Sequence, residues 1–213
     1  MNDSVAVSAP ATARVAAGSA PLAALFFVSG IAALIYQVCW QRLLFEAFGV
    51  DIESITIIVS TFMLGLGLGA LLGGQLSDRW PDRALLLFAL TELAIALFGL
   101  LSPWLIHAVA ALTVTSAHGT VAAANFLLLL LPTMLMGSTL PILVAHVVRT
   151  YHSVGVSIGL LYFVNTLGAA FGAGVTGMLT LHYLGLAATI YLAAALNVFV
   201  SASVGLGLKD ARV

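Results

Sequence analysis

The sequence predicts an all-α fold, a polytopic membrane bundle of six transmembrane helices. Hydrophobic residues make up 62% of the 213 residues, charged residues only 7%, and the mean hydropathy is +1.17. A chain of this composition cannot cover itself with a water-soluble surface. About 20 apolar residues span a bilayer core as a helix, and six stretches satisfy that length: 22–44, 55–76, 84–106, 121–148, 154–179 and 186–208.

These spans define the domain organisation. Residues 1–20 are rich in Ala, Ser and Val and lack a basic region and a cleavage site, so they predict a disordered cytoplasmic tail rather than a signal peptide. Residues 21–208 form the predicted six-helix transmembrane domain, and residues 209–213 a short cytoplasmic tail. With the amino terminus inside, Arg42 is the one basic residue of seven placed on the far side. Lys and Arg are retained on the cytoplasmic side, so both termini are predicted to be cytoplasmic.

Glycines in the second and fifth spans predict close helix packing. Gly65, Gly69 and Gly73 recur at intervals of four residues on one face of the second span, and Gly168 and Gly172 do the same in the fifth. Small residues at this spacing let two helix backbones approach closely in lipid.

The fourth span contains Pro132 and Pro141, each of which removes one helical hydrogen bond. A kinked or broken helix is expected here. In lipid the freed carbonyl groups must meet neighbouring groups or line a cavity. The span is therefore a candidate wall of a site, with a kink that only adjusts helix packing as the alternative.

Two short matches relate the halves of the chain. The spacing from Gly30 to Arg42 in the first span equals that from Gly137 to Arg149 in the fourth, and the Gly-Ala-x-x-Gly motif that begins at Gly69 recurs at Gly168. Three spans in each half would then form a 3+3 inverted repeat, as in each half of the major facilitator fold. The sequence thus predicts a half-major-facilitator-like arrangement.

Glu92 is the most informative polar residue, because it lies within the otherwise uncharged run 84–115. A carboxylate at membrane depth is costly and needs partners or a function. At a rise of 1.5 Å per residue, Tyr36, Gln37 and Asn165 fall at similar depths. The four side chains predict either a site for a proton or a cationic ligand, or an interhelical hydrogen-bond network that only fixes packing.

Arg42 lies further outward and is a separate candidate. It can pair with Glu46 one helical turn away or with the acidic loop that holds Asp51 and Glu53, while its stem reaches along the membrane surface. The other interpretation is a ligand-facing guanidinium at the outer mouth of the bundle.

Several functional classes are disfavoured. The net charge of −1 provides no basic patch for nucleic acid. The single cysteine, Cys39, lies within the first span, and the five histidines lack the spacing of metal ligands. No catalytic constellation is visible, so the sequence predicts no bound metal, no cofactor and no enzymatic activity.

The connection after the second span carries Asp78, Arg79 and Arg83 behind Gly74. It resembles the cytoplasmic motif between the second and third helices of major facilitator transporters, which latches neighbouring helices. Pro81 and Asp82 depart from that motif.

Five segments together resemble the membrane region of bacterial membrane-fused spermidine synthase-like proteins. They are Leu-Ile-Tyr-Gln-Val-Cys-Trp-Gln-Arg-Leu-Leu at 34–44, Phe-Met-Leu-Gly-Leu-Gly-Leu-Gly-Ala-Leu-Leu-Gly-Gly at 62–74, Thr-Glu-Leu at 91–93, Leu-Pro-Thr-Met-Leu-Met-Gly-Ser-Thr-Leu-Pro at 131–141 and Gly-Leu-Leu-Tyr-Phe-Val-Asn-Thr-Leu-Gly at 159–168. The resemblance implies a bacterial inner membrane location and a major-facilitator-like bundle. Family members commonly join this region to a soluble aminopropyltransferase-like domain, and these 213 residues contain no segment that predicts one.

Three functions follow as expectations. The favoured one is a non-enzymatic membrane subunit or scaffold in the lipid bilayer that docks membrane or cytoplasmic partner proteins and holds a small ligand. The alternatives are a half-size transporter that works as a homodimer around Glu92, and the membrane component of a split spermidine synthase-like system.

Overall fold

The computed structural model describes residues 11–48, 52–113, 115 and 118–210. Apart from short turns, these residues are helical, and they contain no β-strand. The helices are α1 (Ala11–Phe48), α2 (Ile52–Arg79), α3 (Ala84–Thr113), α4 (His118–Tyr151), α5 (Val154–Val175), α6 (Leu181–Tyr183) and α7 (Gly185–Asp210). A 3₁₀ turn, Pro81–Arg83, precedes α3, and a π-helical turn, Thr176–Thr180, joins α5 to α6.

Six of these helices are long and apolar enough to cross a membrane. They correspond to the six predicted spans, with α5, the π-helical turn and α6 together forming the fifth. The prediction of a six-span all-α membrane bundle is therefore confirmed. Polar backbone groups must be satisfied within each segment at membrane depth, and continuous helices satisfy them.

The first helix begins earlier than predicted. It starts at Ala11, so residues 11–20 are helical rather than part of a disordered tail, and residues 1–10 lie outside the described part of the chain. Val15 and Ser19 are buried, and Gly18 lies against the ring of Tyr151 at the end of α4. Contacts with α4 thus extend the helix beyond its most apolar stretch. At the other terminus α7 reaches Asp210, and residues 211–213 are not described.

Glycine contacts organise the bundle into two tight helix pairs. In the α2–α4 pair, a Cβ added at Gly69 would lie 2.7 Å from the carbonyl carbon of Met134, and one at Gly73 would lie 2.6 Å from the carbonyl oxygen of Ser138. Gly65 lies against the side chain of Thr133. These separations are far inside van der Waals contact, so only glycine permits this approach.

The α1–α5 pair is built in the same way. Gly168 lies against the backbone of Phe27, and Gly172 against that of Ile31. Gly30 on α1 in turn faces the backbone of Asn165. The predicted packing roles of the glycines are thus matched by the contacts that each one makes. The helices α3 and α7 pack on each other, and they also pack on α4 and α1.

The contacts of the two pairs correspond in position. Gly69 and Gly73 face residues four apart on α4, as Gly168 and Gly172 face residues four apart on α1. The reciprocal glycines also agree, because Gly137 faces the backbone of Leu66 as Gly30 faces that of Asn165. A 3+3 repeat would produce this correspondence, and the inverted orientation of the halves stays a prediction.

Two apolar clusters fill the interior. One cluster includes Trp40, Phe62 and Ile95, and the other includes Phe26 and Phe88. Along α3, Glu92 lies between Phe88 of the second cluster and Ile95 of the first. The candidate site therefore lies where the two clusters meet.

Candidate functional site

The carboxylate of Glu92 is fully buried, with 0% of its surface exposed. The hydroxyl of Ser29 on α1 donates a hydrogen bond to Oε1 at 2.6 Å. The amide nitrogen of Asn197 on α7 donates to Oε2 at 2.5 Å. Each carboxylate oxygen thus accepts a hydrogen bond from a different helix, and these two donors reduce the cost of burying the group.

Asn197 completes only half of its hydrogen bonding. Its side chain is buried, and its amide oxygen Oδ1 has no hydrogen-bond partner among the described residues. A buried acceptor without a donor costs about 1–3 kcal/mol. Such a group in a native fold calls for an explanation such as a bound molecule.

A cavity of about 130 Å³ adjoins this network. Each of the six long helices contributes to its wall, so it lies at the centre of the bundle. Its polar lining comes from Ser29, Gln37, Thr139, Asn165 and Asn197. Its apolar lining comes from Ala33, Leu34, Phe62, Leu66, Ile95 and Met136.

Three of the predicted site residues come together here. Gln37 and Asn165 line the cavity, and Glu92 bonds to two further lining residues, Ser29 and Asn197. The depth comparison along the helices thus grouped residues that the fold places around one cavity. The structure adds Ser29 and Asn197 as the direct partners of the carboxylate.

Tyr36 takes a different position. Its ring stacks on Trp40, with 4.8 Å between the ring centroids, and it lies against Gly99 of α3. Its hydroxyl is buried and has no hydrogen-bond partner among the described residues. Tyr36 is therefore part of the α1–α3 packing and not of the cavity wall.

Trp40 forms the polar contact of that packing. Its indole nitrogen donates to the hydroxyl of Ser102 at 2.8 Å, and that hydroxyl donates to the carbonyl of Gly99 at 2.8 Å. All three residues are buried. This chain of hydrogen bonds joins α1 to α3 beside the cluster around Trp40, and the sequence reasoning did not identify it.

Arg42 lines a second, larger cavity of about 690 Å³ at the carboxyl end of α1. Its lining also includes Val38, Gln41, Phe45 and Glu46 of α1, Leu181 of α6 and Leu186 of α7. Among the described residues, no ion pair joins Arg42 to Glu46. The predicted pairing with the acidic loop involves Asp51 and the side chain of Glu53, which lie outside the described residues.

The segment of α4 between its two prolines contributes to the cavity. The helix continues through Pro132 and Pro141 without a break, so the broken alternative does not occur and the kink stays a prediction. Met136 and Thr139, which lie between the prolines, line the cavity. The role of this span as a wall of a functional site stays a prediction.

The three residues of the predicted cytoplasmic latch, Asp78, Arg79 and Arg83, are exposed. The guanidinium of Arg79 lies 5.4 Å from the centroid of the Trp80 ring. A helix-to-helix contact at this end instead uses Arg149 of α4, which donates to the carbonyl of Ser77 at 3.2 Å. A cation at the carboxyl end of α2 also interacts favourably with the helix dipole. The latch role of the three predicted residues stays a prediction.

The described residues contain no group of three or more His, Cys, Asp or Glu side chains that could hold a metal ion. Cys39 is buried and free.

Asn197 could have been identified from the sequence, because it is the only asparagine of the sixth span and lies at the middle of residues 186–208. Ser29 offered no comparable signal, since serine is common in membrane helices and often bonds its own backbone.

The comparisons with known proteins give one similarity. Over 180 residues the chain is 25% identical to a protein named polyamine aminopropyltransferase from Oceanobacillus iheyensis. The aligned region covers 83% of this chain and 34% of that protein, so the chain spans about a third of the length of this relative. No protein-family model matches the sequence, and no solved structure matches it.

Proposed function

We propose that this chain is a non-enzymatic membrane subunit that docks a partner protein of the aminopropyltransferase type and holds a small ligand near Glu92. The observation that carries the proposal is the extent of the similarity. The similarity covers 83% of this chain but 34% of a protein named polyamine aminopropyltransferase. The similar part of this chain therefore includes most of its six apolar helices, which are long enough to span a membrane.

The geometry supports a ligand-holding module better than an enzyme. The central cavity contains hydroxyl and amide groups and one nearby carboxylate, Glu92. No nucleophile paired with a base lines it, so covalent catalysis by side chains of this cavity has no support. In the proposed arrangement the partner protein supplies the chemistry and the bundle supplies the membrane location.

The test is native mass spectrometry of the tagged protein, extracted gently from the membrane of a bacterium that encodes it. The expected result is a complex of fixed stoichiometry that contains a second, soluble-type protein with aminopropyltransferase activity. A homodimer or a monomer without any partner, extracted under conditions that keep a known membrane complex intact, would contradict the docking proposal.

A half-size transporter that works as a homodimer is the second candidate. Two observations favour it, the central cavity beside a buried carboxylate and the corresponding glycine contacts of the two helix pairs. A repeat of this kind forms each half of a major facilitator, and a dimer would supply the second half.

The transporter candidate predicts the effect of one substitution. Glu92→Gln should abolish uptake of the transported ligand into vesicles that contain the protein. Native mass spectrometry should still detect the homodimer of this variant. Asp82→Asn is the matched control, because Asp82 is an exposed carboxylate in the 3₁₀ turn. Uptake that survives Glu92→Gln would exclude a transport mechanism based on this carboxylate.

A further inference from the structure

We infer that the central cavity binds the ammonium group of a small aliphatic amine. The inference rests on the proposed function in one respect, since it names the chemical class of the ligand that the subunit holds.

Three oxygens on the cavity wall, one each on Ser29, Thr139 and Asn197, are free to accept hydrogen bonds. The hydroxyl hydrogen of Ser29 is donated to Glu92, and that of Thr139 to the carbonyl of Met136 at 2.7 Å. The amide nitrogen of Asn197 donates to Glu92, which leaves its unpartnered Oδ1 as an acceptor. A primary ammonium group has three N–H donors and no acceptor. Its donor capacity therefore matches what these three side chains can accept.

The charge around the cavity favours a cation. The carboxylate of Glu92 lies directly behind Ser29 and Asn197, and no Lys, Arg or His lines this cavity. Gln37 and Asn165 bring amide donors as well as acceptors to the wall, so the preference for a cation rests on the adjacent Glu92. A neutral alcohol could donate only one hydrogen bond, whereas an ammonium group donates three.

The size of the cavity limits the ligand. A water molecule needs roughly 10–15 Å³ of such space, and the cavity provides about 130 Å³. It therefore has room for an ammonium group with a short carbon chain. Leu66, Ile95 and Met136 supply apolar walls for that chain.

The test is thermal unfolding of the purified chain in detergent at neutral pH, with n-propylamine as the probe. The amine is protonated at this pH, as a lysine side chain is. Its hydrochloride should raise the melting temperature in a saturable manner, because a ligand that binds only the folded state stabilises it. Equal concentrations of n-propanol and of sodium chloride should leave the melting temperature unchanged.

Two variants locate the effect. Glu92→Gln removes the charge and Ala33→Leu fills the cavity while keeping the carboxylate, and each should abolish the amine-dependent shift. Asp82→Asn should keep the full shift, since Asp82 is exposed and remote from the cavity wall.

Equal stabilisation by propylamine and propanol would overturn the inference, as would a shift that persists in Ala33→Leu. No shift in the wild-type protein would also overturn it, and would leave Glu92 as a structural hydrogen-bond acceptor. If Glu92→Gln fails to fold, Ala33→Leu decides the matter alone. The docking proposal is tested separately, because partner retention in native mass spectrometry does not depend on propylamine binding.

Discussion

Replacing Gly69 with alanine tests whether backbone contact between α2 and α4 stabilises the bundle. The added Cβ would lie 2.7 Å from the carbonyl carbon and 2.8 Å from the Cα atom of Met134, whereas ordinary contacts begin at about 3.4 Å. Because these atoms belong to the backbone, no side-chain rotation can relieve the clash. The two helices must move apart, and overpacking of this kind costs about 1–3 kcal/mol.

Gly67 provides the matched control. It lies two residues away on the same helix, and an added Cβ would meet no atom within 4 Å. In a membrane both helices are formed before they associate, so the higher helix propensity of alanine largely cancels. Gly67→Ala should therefore change the free energy of unfolding by less than about 0.5 kcal/mol.

The assay is unfolding of the purified protein by increasing sodium dodecyl sulfate in mixed micelles, followed by tryptophan fluorescence. We expect a lower midpoint for Gly69→Ala and an unchanged midpoint for Gly67→Ala. Equal midpoints for the two variants would refute the assignment of Gly69 to a backbone contact. Gly69→Leu should enlarge the effect, because a larger side chain requires a larger separation of the helices.

Two further predictions concern buried hydrogen bonds. Ser29→Ala should destabilise the bundle by about 1–3 kcal/mol, because Oε1 of the buried Glu92 loses its donor. Ser138→Ala should cost less in the same detergent titration, since the Ser138 hydroxyl donates to the carbonyl of Leu135 on its own helix, and equal costs would contradict the reasoning. Trp40→Phe should cost more than about 1 kcal/mol, because it removes both the bond to Ser102 and buried ring volume. A double-mutant cycle with Ser102→Ala isolates the bond, and additive effects would argue against it.

The buried carboxylate affects how all variants near it must be interpreted. Removal of either donor leaves a charged or polar oxygen in an apolar interior, and the loss then includes the desolvation cost of that oxygen. Glu92→Gln is the mildest change, because the glutamine amide keeps the size of the side chain and one of its oxygens as an acceptor. Activity lost in this variant, with assembly retained, therefore reports on charge rather than on packing.

The sequence by itself determined the class of the protein and the number of its membrane helices. Apolar runs of about 20 residues can be stable across a bilayer only as helices, so composition and length suffice. It also identified the packing glycines at positions 65, 69, 73, 168 and 172, because a period of four residues places small side chains on one helix face whatever the partner. Glu92 was recognisable for a similar reason, since a carboxylate in an apolar run is unusual wherever the run lies.

The tertiary structure decided the partners of these groups. The donors to Glu92 come from residues 63 positions before it and 105 positions after it, and no local pattern relates positions so far apart. The separation of Tyr36 from the cavity that Gln37 lines was likewise decided by packing, because adjacent residues on a helix point about 100° apart and meet different neighbours. Helix periodicity specifies which residues share a face, and only the arrangement of all six helices specifies what that face meets.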